Sequence, residues 1–134
     1  ELMPRFEDWP TRLNAAIDAA RARPFDWERH NCATFAADCV EAITGVALHA
    51  RFAGLHADMR TAVRNSEQLE NEVAIVLSDC ARVLPGYAQR GDVVLVRNGG
   101  RVLLGICCGV SVAAVGEKGV EFMVMREALC AWRV

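Results

Sequence analysis

Three consecutive residues, His30-Asn31-Cys32, hold the side chains best suited to chemistry in this 134-residue chain. A cysteine thiolate is a nucleophile, and an imidazole is a common base to activate it. Residues two apart in an extended segment point the same way, so the His30 imidazole can approach the Cys32 thiol. Asn31 is a preferred helix N-cap. It puts Cys32 in the first helical turn, where unpaired N–H groups and the helix dipole favour thiolate. Two readings stand side by side. In one, Cys32 is a nucleophile and His30 its base. In the other, Cys32 packs as a small hydrophobe, as free cysteines commonly do, while His30 bonds a loop carbonyl and fixes the entry to the helix. No orienting group for His30 is evident. Asp38 lies too far along the helix to share a face with Cys32, and Asp92 suits the turn chemistry of a strand entrance.

The helix that carries Cys32 has an apolar stripe at Phe35, Ala36, Cys39, Val40 and Ile43, and a stop at Thr44-Gly45. An earlier helix opens at Asp8-Trp9-Pro10-Thr11, buries Leu13, Ala16, Ile17 and Ala20, and ends before Pro24. Phe25-Asp26-Trp27 reads as an aromatic connector packed under the next helix. The pattern then predicts a loop over 46–55 with His49 and His56 facing solvent, and a short helix over 57–63. Ser66 caps a further helix with the stripe Leu69, Val73, Val76, Leu77 and Cys80.

After Pro85-Gly86 the period changes. Gly91-Asp92 leads into Val93-Val94-Leu95-Val96, a continuous run that reads as a buried strand. Asn98-Gly99-Gly100 is a hairpin signal. Strands are predicted next over 101–108, 110–115 and, past the turn at 116–119, over 120–125. Glu127 to Trp132 reads as a short closing helix. The expected fold class is therefore α+β: N-terminal helices, then an antiparallel β-meander, then a short C-terminal helix, in one domain over 1–134. Residues 1–8 are expected to form a tail, with Met3 as the natural start and Glu1-Leu2 as vector residues.

Hydrophobic residues make up 53% of the chain, charged residues 24%, and the formal net charge is −2. This balance, with no Lys/Arg-rich run, argues against nucleic acid or an anionic membrane as partner. The opening residues lack a signal-peptide pattern, and the longest apolar stretch, 102–116, is too short and too broken by glycine to span a bilayer. The six cysteines form no C-x-x-C pair and have no histidine at zinc-ligand spacing, so neither a metal nor another cofactor is expected. Reduced, mostly buried thiols are expected instead.

A cysteine at a helix start, then a Gly-Asp-led strand, then a strand ending Gly-Ile resembles the NlpC-type cysteine peptidases of the papain-like fold. Asn31-Cys32-Ala33-Thr34-Phe35 stands where that family has its Asp-Cys-Ser-Gly-Phe-like nucleophile segment. Gly91-Asp92-Val93-Val94-Leu95 matches the Gly-Asp-Leu-Val strand, and Leu103-Leu104-Gly105-Ile106-Cys107 the His-Val-Gly-Ile-Tyr strand. The chain also resembles small proteins of tailed phages and prophages of alphaproteobacterial type. The shared features there are Trp9-Pro10, Arg23-Pro24-Phe25-Asp26-Trp27, the segment from His30 to Asp38, Tyr87-Ala88-Gln89-Arg90-Gly91-Asp92 and Ala131-Trp132-Arg133.

The resemblance implies a papain-like domain in which Leu103 replaces the general-base histidine. The third, orienting polar position falls near Ala113-Ala114, where nothing polar stands. A thiol nucleophile needs a partner that takes its proton or pairs with the thiolate, and leucine does neither. With those positions lost, the resemblance implies a structural or adaptor protein of a phage tail tip or baseplate, catalytically inactive, with tail proteins as partners. It would be cytoplasmic during assembly and then part of the virion tail. The alternative is a cysteine hydrolase acting on a peptidoglycan peptide or amide bond, with Cys32 as nucleophile and His30 as base.

Overall fold

The computed structural model describes residues 4–53, 55 and 66–134. Among these, α1 (Trp9–Arg21) buries Leu13, Ile17 and Ala20, the expected apolar face. The next helix, α2 (Cys32–Thr44), buries eight of its thirteen residues and is the central element of the core. Asn31 caps it through a reciprocal arrangement. Its Oδ1 accepts the Ala33 and Thr34 N–H groups, both at 3.0 Å, and the Thr34 hydroxyl accepts the Asn31 N–H at 2.9 Å. Gly45, at φ 78°, ends the helix in the left-handed conformation.

A short helix, α3 (His49–Phe52), occupies part of the span expected to be loop. Leu48 and Phe52, one turn apart, are both buried. A single helical turn is what places both on the core at once. The last helix is α4 (Ser66–Val76), and Leu69, Val73 and Leu77 of the predicted stripe are buried. His56 and the helix expected over 57–63 lie outside the described residues.

The described strands form one antiparallel sheet: β1 (Arg82–Val83), β2 (Val93–Asn98), β3 (Arg101–Cys107), β4 (Ser111–Gly116), β5 (Gly119–Val124) and β6 (Ala128–Trp132). Their order is β1-β6-β2-β3-β4-β5. Gly99-Gly100 turns β2 into β3, with Asn98 paired to Arg101. Glu117-Lys118 turns β4 into β5, with Gly116 paired to Gly119. Both hairpins agree with the sequence signals to within a residue or two. The fold class is α+β, with helices first and a six-stranded antiparallel sheet after them.

The C-terminal segment corrects the expectation of a closing helix. A 3₁₀ turn, Met125–Glu127, delivers the chain into β6, which inserts between β1 and β2. Strand order therefore departs from a simple meander. Cys130, Ala131 and Trp132 are all buried. A strand buried on both faces shows no alternation, so its sequence cannot be told from a buried helix by period. Here the tertiary slot decided the conformation.

The segment before α1 is tied into the fold. Phe6 donates its N–H to the Ile43 carbonyl at 2.8 Å. Arg5 reaches the Val134 and Arg90 carbonyls at 2.9 and 2.8 Å and the Asp92 carboxylate at 3.2 Å. Gly91 adopts φ +96°, and the Arg5 guanidinium lies 2.7 Å from where a Cβ would stand, so the close approach requires glycine there.

Candidate functional site: the Cys32 cleft

The loop 25–30 closes on itself. Asp26 and His30 exchange two backbone hydrogen bonds at 2.9 Å, and the Asp26 carboxylate accepts the Glu28 and Arg29 N–H groups. This compact turn holds Phe25 and Trp27 edge to face, ring centroids 4.9 Å apart. Both rings are half-buried, and they wall a cleft instead of packing under α2 as the sequence suggested. Cys32 and Leu103 lie on its floor with Val115 and Gly116. Asn98, Arg101 and Glu121 come from the two hairpins at its side. The cleft volume is about 200 Å³.

Cys32 is only 4% exposed. Burial pushes its thiol up to about 11, against the opposing effect of backbone hydrogen bonds from Leu104 and the start of α2 and of the Arg101 charge. The helix start does favour thiolate, as its position implied, but helix-end effects are typically of order 1 kcal/mol or less. Enclosure by apolar groups costs a charge more than that. The thiol is therefore protonated at neutral pH. Leu103 lines the same cleft, where its side chain offers no proton acceptor. Ala113 and Ala114 are fully buried in β4.

His30 is placed elsewhere. Its ring is 1% exposed, and Nε2 lies 3.2 Å from the Ala20 carbonyl in the last turn of α1. Nδ1 has no hydrogen-bond partner among the described residues. The carbonyl partner makes Nε2–H the donor, and burial, ahead of the nearby Arg23 charge, lowers the imidazole pKa. The period-two argument that aimed His30 at Cys32 fails for a local reason. The backbone is extended only as far as Asn31, φ −124° and ψ −177°. Cys32 is already helical, so the two side chains diverge. Asp38, on the far side of α2, pairs with His49 at 2.6 Å and Arg23 at 3.7 Å.

The charged groups of the cleft escaped the sequence reading. Arg101 bonds Glu117 at 2.7 Å and lies 5.4 Å over the Trp27 ring. Arg101 follows one turn and Glu117 lies in the other, where charge is unremarkable. Only the pairing of the hairpins brings them together. The one available signal was their position at two predicted turns.

Asp92 is the other buried polar centre. It is fully buried and accepts from the Gln89 N–H at 2.8 Å, the Val134 N–H at 3.2 Å and Arg5 at 3.2 Å, with Arg133 at 3.7 Å. The turn bond to Gln89 was legible as turn chemistry; the three others join the two ends of the described chain.

None of the six cysteines, all among the described residues, is in a disulfide, and only Cys108 is not buried. No helix among the described residues is long and apolar enough to cross a membrane. Comparison with curated proteins finds no match. Residues 4–134 match the family described as domain of unknown function DUF6950, and the chain, matched over nearly its whole length, belongs to that family.

Proposed function

We propose that this chain is a degenerate NlpC-type domain that has lost peptidase chemistry and serves as a structural or adaptor component of a phage tail tip or baseplate. The observation that carries the reading is that Leu103 and Cys32 line one cleft. An aliphatic side chain stands in that cleft at the position where the NlpC-type resemblance puts the base. The protonated state of Cys32 and the engagement of His30 with Ala20 support the same reading. An adaptor also needs a docking surface. Exposed apolar side chains at Leu84, Tyr87 and Val110 lie on segments that meet the turn Met125–Glu127, and a patch of that kind marks interaction sites. Tail proteins are the partners this reading implies.

The hydrolase reading keeps one observation in its favour: Cys32 lines an accessible cleft at the start of a helix. Alkylation by iodoacetamide, tracked residue by residue with mass spectrometry across pH, separates the two. The inactive reading expects Cys32 to label slowly up to pH ~9, above the free-thiol value of about 8.5, with His30→Ala making no difference. Fast labelling well below that value, lost in His30→Ala, would overturn it.

A further inference from the structure

We infer that the Cys32 cleft is a binding site for an alkyl-ammonium group, such as a lysine side chain, with the ammonium against Glu121 and the aliphatic stem on Leu103 and Val115. The inference stands whether or not Cys32 reacts, so its failure and that of the proposed function are separate results.

Glu121 is half-buried at the side of the cleft. One of its oxygens takes a single long hydrogen bond, 3.5 Å, from the Asn98 amide. The other occupies the space above Gly116 where a Cβ would stand, and accepts no hydrogen bond among the described residues. The missing side chain at 116 is what lets the carboxylate turn into the cleft. The carboxylate thus keeps acceptor capacity facing the cleft.

Neither neighbouring cation pairs with Glu121 among the described residues: Arg101 is committed to Glu117 and stacked over Trp27, and Lys118, exposed in the turn, lines the cleft without bonding that carboxylate. The floor below Glu121 is apolar: Leu103, Val115 and the Cys32 thiol. A cleft of about 200 Å³ admits the four-carbon stem and ammonium of lysine, whose three donors match a carboxylate and the Asn98 amide oxygen. A carboxylate ligand would meet repulsion from Glu121, and a purely apolar one would leave it unsatisfied.

The test is a titration monitored by ¹⁵N–¹H NMR, with Nα-acetyl-lysine methylamide as probe and the norleucine analogue, equal in stem but uncharged, as its control. Saturable shifts of the Asn98 side-chain amide, the Trp27 indole and Gly116 are expected with the lysine probe. Affinity for the norleucine probe should be lower by about tenfold or more, the scale of a charge-assisted hydrogen bond. Glu121→Gln should bring the lysine probe down to the norleucine level, and the same spectra report whether the variant is folded. Equal affinity of the two probes for the unaltered protein, or shifts that avoid the cleft, would overturn the inference without reference to any variant.

Discussion

Cys32 and Asp92 are both buried, both titratable and both seated at the start of a secondary-structure element, yet their surroundings are opposite. Cys32 is almost wholly enclosed on the floor of its cleft, and desolvation outweighs the donors near it, so its thiol is held protonated. Asp92 is surrounded by backbone and guanidinium donors drawn from the N-terminal segment, the loop before β2 and the C-terminus. The residue that looks like a nucleophile is held as a thiol. The residue that looks like a turn holds both ends of the described chain. Burial alone does not decide what a polar group does; the donors and charges that share its enclosure do.

The comparison can be broken at its strong end first. Asp92→Ala strips the buried partner from Arg5 and Arg133 and the acceptor from the Gln89 and Val134 N–H groups. Loss of one partner of a buried pair costs about 3–5 kcal/mol, and urea unfolding should show a loss of that size. A small loss, within ~1 kcal/mol, would demote the clasp to a surface-like pair.

A second measurement sharpens the thiol side. Cys32 is raised from 9.0 to about 11 in the folded state. Between those values the unfolded chain has released a proton that the folded chain retains, so stability is full below pH 9 and falls as pH rises towards 11. For a shift of about two units the loss from this group is of order 2–3 kcal/mol. Burial raises the other cysteines as well, Cys130 to about 12, which steepens the same alkaline fall. Unfolding under reducing conditions from about pH 8 to 10.5 should show it, with a shallower slope in Cys32→Ala.

The smallest effect concerns the cap that positions the thiol. Asn31→Ala removes the acceptor for the Ala33 and Thr34 N–H groups, at about 1–2 kcal/mol. The thermal midpoint should drop accordingly, while the Cys32 labelling rate below about pH 8 stays slow because enclosure, not the helix end, sets the thiol. A rise in that rate would show that the cap keeps the cleft shut.

Much of the architecture was legible because its causes are local. Asn31 bonds residues two and three positions on, Gly45 ends the helix by its own φ, and Gly99-Gly100 turns one hairpin without outside help. The exceptions share a cause. β6 took strand form because it fills a slot between β1 and β2, and α3 formed because Leu48 and Phe52 both met the core. For the site, the helix-start position of Cys32 was readable from local pattern, and Leu103 was singled out only through the resemblance to NlpC-type peptidases. The direction of His30 was not readable, since its partner is a carbonyl in the preceding helix.

By itself the sequence determined a capped, apolar helix led by Cys32, a two-hairpin β region behind it and an aliphatic residue at 103. Those features arise from hydrogen bonds and side-chain periods that span a few residues. Only the tertiary structure decided that the thiol is desolvated, that Glu121 turns into its cleft over Gly116, and that Asp92 clasps the two ends of the described chain. Each depends on groups tens of residues apart, and the strength of an electrostatic contact is set by what encloses it, which no local pattern encodes.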